Sequence, residues 1–299
     1  MRQLLKWISY ILAALVAAVA MVLGVVYWKS NARLHRVYHV TVTPPTIPTD
    51  AASIERGHHI AMTRGCAECH GTDFGGAKVI DDPAMGRLYG PNLTRGRGGL
   101  PATFGDADWA RAIRHGVAAD GHGLFLMPSV DFSRFTTEDM GDLIAYLKSV
   151  PPVDRDSVPL KIGPVARILM LAGKIKLAAD EIDHVNLTPA IVTPAITVEY
   201  GHYLAAGCTG CHGANFSGGK IDIGPPDWPQ AANLTPYEPD GFVRWTEADF
   251  IAALRTQKKP DGVTLSPVMP KVFGAMNDTE LKAIWMYLRT LPPVATGQR

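Results

Sequence analysis

The sequence predicts an all-α protein in which one apolar N-terminal helix is followed by two consecutive helical domains. Three observations support this prediction: a long uncharged stretch near the N-terminus, an internal repeat over most of the remaining chain, and an apolar stripe of helical spacing at the end of each repeat. With 299 residues the chain has the length of two domains. Its 47% hydrophobic content and net charge of +1 indicate a globular protein without a nucleic-acid partner.

The uncharged stretch covers residues 7–28, which is long enough to cross a bilayer core of about 30 Å. Tryptophan and tyrosine lie near both of its ends, where the membrane interface favours them. A cleaved signal peptide is the alternative, with Arg2 and Lys6 as its basic region and residues 18–20 as an A-x-A-like cleavage site. Because the apolar run continues for eight residues beyond that site, we favour a transmembrane anchor over residues 1–29.

The segments that follow are assigned from composition and from the repeat. Residues 30–52 are polar and then proline-bearing, which is typical of an extended tether. The two copies of the repeat place a first domain at 53–152 and a second domain at 198–299. Between them, residues 153–197 form a linker with a helix predicted over 165–179. We expect this helix to pack between the domains, and a membrane-surface or partner-binding helix is the alternative because lysine and arginine lie beside its apolar face.

The repeat is recognised by short motifs that recur in the same order. They are Cys-x-x-Cys-His-Gly at 66–71 and 208–213, Asn-Leu-Thr at 92–94 and 233–235, Asp-Gly at 120–121 and 261–262, and Met-Pro at 127–128 and 269–270. Matching order over this length indicates a duplicated domain.

Each copy is predicted to end in a helix with one buried stripe. Thr136 and Asn277 match the N-cap pattern at the start of these helices, and double prolines stop them. The apolar residues at i, i+3, i+4 and i+7 are Met140, Leu143, Ile144 and Leu147 in the first copy and Leu281, Ile284, Trp285 and Leu288 in the second. Shorter helices are predicted around residues 54–62, 109–114, 198–205 and 250–255.

All four cysteines lie in C-x-x-C-H motifs, which are Cys66, Cys69 and His70 in the first copy and Cys208, Cys211 and His212 in the second. Two thiols at this spacing can form thioethers with the two vinyl groups of one porphyrin, and the adjacent histidine can then reach the iron. A structural zinc site would need four protein ligands, so the two distant pairs would have to combine. Independent repeats favour two covalently bound haem c groups instead.

The sixth iron ligand is predicted to be Met127 in the first domain and Met269 in the second. Each lies 57 residues after its motif histidine and is followed by a proline that stiffens the loop. His122 and Met276 are the rival ligands. A histidine and methionine pair raises the reduction potential and leaves no open position on the iron, so we expect one-electron transfer and not an enzyme. A dihaem peroxidase or a haem-based gas sensor, the alternatives, would need an open or labile position.

These motifs resemble those of class I cytochrome c domains, arranged in tandem as in membrane-anchored dihaem cytochromes c. The resemblance covers residues 53–152 and 198–294 and includes Gly-Pro-Asn-Leu at 90–93. In that family the proline at this place, here Pro91, presents its carbonyl to the second nitrogen of the iron-ligating histidine. Ala232 occupies the same place in the second copy, which implies two haems of unequal potential.

The resemblance also implies a location and redox partners. Bacteria attach haem to such motifs on the outer side of the cytoplasmic membrane, so the N-terminus would lie inside and both haem domains on the periplasmic side. The implied role is a relay from a quinol-oxidising complex or dehydrogenase to an oxidase, a reductase or a photosynthetic acceptor. The chain would then be a free anchored carrier or a subunit of a larger membrane respiratory or photosynthetic complex.

Overall fold

The N-terminal helix α1 (Arg2–Leu34) extends from the globular part of the chain and contacts it at its C-terminal end. The computed structural model describes residues 2–221, 224–225 and 227–299. In it, α1 is long and apolar enough to cross a membrane, and its apolar side chains do not pack inside the protein. The helix fits a single-pass anchor and continues past residue 29 to Leu34. The tether that follows is not free, because Val42 and Ile47 pack against the core of the first domain.

The first domain is built around two crossing helices. In chain order it contains α2 (Ala51–Thr63), α3 (Cys66–His70), α4 (Asp106–His115), α5 (Ser129–Phe132) and α6 (Thr137–Ser149). Helices α2 and α6 cross at Gly57, where a Cβ atom would overlap the carbonyl oxygen of Asp142. The predicted start of α6 is confirmed, since the Thr136 side chain accepts a hydrogen bond from the Asp139 amide at 2.9 Å.

A small antiparallel sheet lies beside α3 and was not predicted. Strand β1 (Ala77–Asp82) pairs with β2 (Gly86–Gly90), and β2 pairs with the two-residue strand β3 (Lys161–Ile162). The Asp82 carboxylate accepts hydrogen bonds from the amides of the next turn, which closes the hairpin. The side chains of β1 do not alternate between buried and exposed positions. Its sequence therefore lacks the period-2 pattern by which a strand is recognised.

The linker contains two helices where one was predicted, α7 (Pro164–Leu171) and α8 (Ala178–Glu181). Gly173 breaks the helix at a φ of 72°, a left-handed conformation that glycine adopts readily. The Lys174 amide then donates to the Leu169 carbonyl at 2.9 Å, which is the 6→1 hydrogen bond of a Schellman motif. The expected packing of this helix between the two domains is wrong, because α7 lies against the C-terminal end of α1.

The second domain repeats the framework of the first with α9 (Val198–Ala205), α10 (Thr209–His212), α11 (Glu247–Thr256) and α12 (Asp278–Thr290). Short 3₁₀ helices at 206–208, 242–244 and 271–275 complete it. Helices α9 and α12 cross at Gly201, which meets the Ala283 carbonyl as Gly57 meets Asp142. Asn277 and Glu280 form the predicted capping box of α12. The predicted helices of both copies are thus confirmed.

The recurring Asn-Leu-Thr motif has the same structural role in both domains. The side-chain amide of Asn92 donates to the Val153 carbonyl at 2.7 Å, and that of Asn233 donates to the Val294 carbonyl at 2.8 Å. Both asparagines are buried. Each therefore ties the loop after the cysteine motif to the segment that follows the last helix of its domain.

Candidate functional site

The two C-x-x-C-H motifs lie on short helices, α3 and α10, at equivalent places in the two domains. Cys66 packs against the first hydrophobic core and Cys208 against the second. Two separate cores divide the cysteines into two sites, which does not fit one zinc site shared by both pairs. Burial raises the pKa of the Cys66 and Cys208 thiols to about 12, so both are protonated at neutral pH and poorly suited to thiolate chemistry.

A backbone carbonyl orients each motif histidine. Nδ1 of His70 lies 3.0 Å from the carbonyl oxygen of Pro91, and Nδ1 of His212 lies 2.7 Å from that of Ala232. In both pairs Nδ1 carries the proton and donates it, so Nε2 is left free as a metal ligand. Burial lowers the pKa of both imidazoles, against the opposing effect of these hydrogen bonds. Both rings are therefore suited to ligate iron as neutral imidazoles, and Ala232 replaces proline without loss of this contact.

A cavity of about 300 Å³ lies next to α10 in the second domain. His212 and both motif cysteines line it together with Met269. The remaining walls are mostly apolar and include Ile221, Leu234, Phe242, Trp245, Phe250, Leu254, Phe273, Ile284 and Leu288. An apolar cavity with two thiols, an imidazole nitrogen and a thioether on its walls fits a covalently attached haem.

Both candidate methionines of the second domain line this cavity, so position alone does not choose between them. Met276 is 2% exposed and belongs to the hydrophobic core, whereas Met269 is only partly buried. Met276 directly precedes the N-cap Asn277, and the residue at that place in the first domain is Phe135. The equivalent of Met269 in the first domain is a methionine, Met127. The duplication therefore favours Met269 over Met276 as the iron ligand.

The first domain brings Cys66 and Met127 against one core, together with Trp109. The Trp109 indole is 4% exposed, and its N–H has no acceptor among the described residues. A buried indole N–H is usually hydrogen-bonded. The carboxylates of a porphyrin could supply the acceptor, so this domain also fits a haem.

The rival ligand of the first domain, His122, lies on the side of the domain that faces α1. Its ring is 6.0 Å from the His35 ring, and its Nδ1 lies 3.2 Å from the Asp120 carboxylate. Its backbone forms a bridge with Val37 at the start of the tether. These contacts belong to the anchor side of the domain, and Met127 is the candidate that lies against the same core as Cys66.

The two domains meet through a pair of equivalent contacts. In one, His59 Nε2 lies 2.8 Å from the Glu280 carboxylate. In the other, the Tyr203 hydroxyl donates to the Asp139 carboxylate. His59 and Tyr203 each lie two positions after the crossing glycine of their own domain. Their partners, Glu280 and Asp139, are each the third residue of the last helix of the other domain. The interface is therefore close to two-fold symmetric, although the sequence is not.

Arg64 lies in this interface next to the first attachment motif. Its guanidinium donates to the Leu204 carbonyl at 2.9 Å and lies 5.6 Å from the ring centres of Phe135 and Tyr203. A Cβ on the next residue, Gly65, would contact Val272 at 4.0 Å, in the 3₁₀ helix that follows Met269. The start of the first attachment motif thus faces the methionine loop of the second domain.

The sequence alone does not indicate that these residues meet across the domains, although the repeat contains the signal. Aligned copies place His59 opposite Tyr203 and Asp139 opposite Glu280. Each pair of equivalent positions therefore has a donor in both copies or an acceptor in both copies. Only the arrangement of the domains shows that the donors of one copy meet the acceptors of the other.

The His59 contact is expected to make stability depend on pH. The hydrogen bond to Glu280 raises the pKa of His59, against the opposing effect of burial. Because the pKa of His59 is higher in the folded than in the unfolded state, the contact contributes its full stabilisation below the usual histidine pKa of about 6.5. This stabilisation is lost as the pH rises through the raised pKa. Urea unfolding of the wild type and of His59→Gln should therefore differ most at about pH 6 and least at about pH 9.

His58→Gln is the matched control, since it removes an exposed imidazole one position away. A stability difference between the wild type and His59→Gln that stays constant, or that grows as the pH rises, would contradict this role of the contact.

Comparison with known proteins identifies the two domains. The cytochrome c family model matches residues 54–151 and 198–292. The fructose dehydrogenase cytochrome subunit of Gluconobacter japonicus is 30% identical over 289 residues, which cover 85% of this chain and 57% of that relative. The cytochrome c subunit of the quinone alcohol dehydrogenase of Gluconacetobacter polyoxogenes is 29% identical, over 86% of this chain and 60% of the relative. This chain thus spans less than two thirds of the length of either relative.

A third relative matches this chain over a larger share of its own length. The diheme cytochrome c-type protein of Cereibacter sphaeroides is 26% identical over 268 residues, which cover 80% of this chain and 86% of the relative. The matched stretch is therefore too long to lie within one of the two domains.

Proposed function

This chain belongs to the cytochrome c family, and from that premise we propose that it holds two covalently attached haems and relays single electrons as the cytochrome subunit of a membrane-bound, quinone-linked dehydrogenase. The proposal rests on one observation above all, the duplication of a single ligand arrangement. In each domain two cysteines, an imidazole oriented by a backbone carbonyl, and a methionine in a proline-stiffened loop lie at the same places. Two copies support two haems.

The residues of each site have distinct roles in this proposal. The thiols would hold the haem as thioethers. The carbonyls of Pro91 and Ala232 fix the rings of His70 and His212 and leave Nε2 free as a ligand for iron. The sulfurs of Met127 and Met269 would supply the other ligands. Haem c supplies the change between ferric and ferrous iron, one electron at a time.

Closed ligand sets and apolar walls favour electron transfer over substrate chemistry. With two protein ligands, each iron would have no position for peroxide or a gas. The walls of the second cavity are mostly apolar and disfavour water beside its ligands. The packing of α2 against the 3₁₀ helix at 271–275 brings the surroundings of the two sites together, which suits electron exchange between them.

The partners and the orientation follow from the relatives and from α1. The named relatives are cytochrome subunits of fructose and alcohol dehydrogenases, and we infer a dehydrogenase as the electron donor of this chain. A membrane oxidoreductase or a quinone pool would accept the electrons. With α1 as a single-pass anchor, both domains would lie on one side of the membrane, and we assign them to the periplasmic side, with the N-terminus inside.

The proposal is tested on the full chain purified in mild detergent. Haem analysis should give two haems c per chain, and a reductive titration should show two one-electron steps. The reduced protein should not change its spectrum with carbon monoxide, and the oxidised protein should show methionine-to-iron charge-transfer absorbance from both haems. One haem per chain, or rapid turnover of peroxide, would overturn the proposal.

A further inference from the structure

Helix α7 of the linker is bound to the end of the membrane helix by one arginine. Arg167 donates to the Ser30 hydroxyl at 2.6 Å and to the Asn31 side chain at 2.7 Å. Its guanidinium also lies 4.4 Å from the ring centre of Tyr27. Ser30 is fully buried by this packing. The contact is specific, because it combines two charge-assisted hydrogen bonds with a cation–π interaction.

A second arginine joins the last turn of α7 to the end of α1. Arg33 donates to the Met170 carbonyl at 3.0 Å, in the last turn of α7. Arg167 in the first turn of α7 and Met170 in its last turn are therefore both held against residues 27–33 of α1.

The apolar stretch of α1 sets the level of these contacts relative to a membrane. It ends at Trp28, and at 1.5 Å per residue its 22 residues span about 30 Å, the thickness of the hydrocarbon core. Tyr27 and Trp28 are then at the membrane interface, where aromatic rings are favoured. The first turn of α7, held beside Tyr27, is at the same level.

Helix α7 has apolar residues on two opposite faces. Ala166 and Met170 are fully buried in the protein, whereas Val165 is 41% and Ile168 is 47% exposed. At 100° per residue the two faces point roughly 150° apart. The face of Val165 and Ile168, here called the outer face, is about half exposed to solvent. Lys29, near the end of α1, and Lys174, three residues beyond the end of α7, are exposed as well.

We propose that α7 is a membrane-surface helix whose outer face enters the boundary between lipid headgroups and acyl chains beside α1. The occupant is lipid because α1 holds this face at the level of the membrane interface, in continuity with the lipid-facing surface of the anchor. Exposed lysines beside an apolar face are typical of helices that lie on anionic membranes. The proposal rests on the proposed membrane span of α1.

This contact would hold the first domain against the membrane. Helix α7 follows strand β3, which pairs with the sheet of the first domain, and α8 packs on α5 just after Met127. The first domain then has two attachments to the membrane, α1 and α7, and cannot turn freely on a single tether. The first haem site keeps a fixed orientation for a membrane-bound donor or acceptor.

The test uses the full chain in nanodiscs of phosphatidylcholine and phosphatidylglycerol. Ile168→Cys carries a nitroxide label, which is selective because the motif cysteines are consumed as thioethers. Val16→Cys in the middle of α1 and Val263→Cys, an exposed apolar site of the second domain, are the membrane and water controls. Accessibility of each label to oxygen and to a water-soluble nickel chelate is measured by electron paramagnetic resonance.

The oxygen-to-nickel accessibility ratio at position 168 should be several-fold above that at 263 and should remain below that at 16. An unchanged haem absorbance spectrum verifies that each labelled chain is folded. A ratio at 168 equal to that at 263, with a high ratio at 16, overturns the surface helix and leaves the anchor intact. If the label at position 16 also has the low ratio of a water-exposed site, α1 does not span the membrane, and the proposed surface helix is overturned with it.

Discussion

Gly201→Ala is expected to destabilise the second domain by about 3 kcal/mol or more, at the upper end of the cost of overpacking a core. The added Cβ would overlap the carbonyl oxygen of Ala283 and lie 2.8 Å from the Cβ of Tyr287. The obstacle is helix backbone, which cannot rotate away as a side chain can. Helices α9 and α12 would have to separate, although their contact is the main packing between elements of that domain.

Gly210→Ala is the matched control for this change. Gly210 is exposed, has no atom within 4 Å of an added Cβ, and corresponds to Glu68 in the first copy, so a side chain is tolerated there. Thermal unfolding followed by circular dichroism and by haem absorbance should show a large loss of stability for Gly201→Ala and little change or a small gain for Gly210→Ala. Equal melting temperatures would contradict the crossing as the structure describes it.

The parts of the fold that depend on local pattern could be predicted from the sequence. The stripe of Met140, Leu143 and Leu147 is periodic, and Thr136 marks the start of its helix, so both closing helices were found with their N-caps. The crossing glycines could not be recognised in the same way. Gly57 and Gly201 are ordinary residues in helical sequence, and only the position of the partner helix shows why a side chain cannot fit.

In the linker, the apolar pattern predicts a helix but not its length. The predicted helix forms, and Gly173 ends it after two turns. A glycine followed by lysines is a known stop signal, so the break was available in the sequence. The packing partner was not, because the Arg167 contacts join residues that are 136 and 137 positions apart. Long-range pairs of this kind leave no local pattern.

The haem-attachment residues can be identified from the spacing of the motif alone, whereas the residues around each site can be identified only from the tertiary structure. The Pro91 carbonyl was expected from the family resemblance and lies at hydrogen-bond distance from His70. The contact of Ala232 is made by backbone and could not be read from its residue type. The Trp109 indole appears as an unsatisfied donor only when its burial is known.

Met269→Ala is expected to change the second haem and to leave the first unaffected. His212 would be the only remaining protein ligand, so the second iron should become high-spin, and its reduction potential should fall by on the order of 0.1 V, within the range of roughly 0.8 V that axial ligands set. The first site has its own ligand set on a separate core, so its potential should stay constant. Spectroelectrochemical titration of the variant measures both steps at once.

Met276→Ala distinguishes ligation from packing in the same domain. Met276 lines the same cavity but is a fully packed core residue, so its truncation should cost about 2–5 kcal/mol of stability without a change of spin state. Met127→Ala should reproduce the high-spin change in the first haem alone. If Met276→Ala gives the high-spin spectrum and Met269→Ala does not, the two domains ligate iron differently, and the duplication is a poor guide to the sixth ligand. The expected result makes Met127 and Met269 equivalent, so any difference in potential between the two haems would arise from their surroundings and not from their ligands.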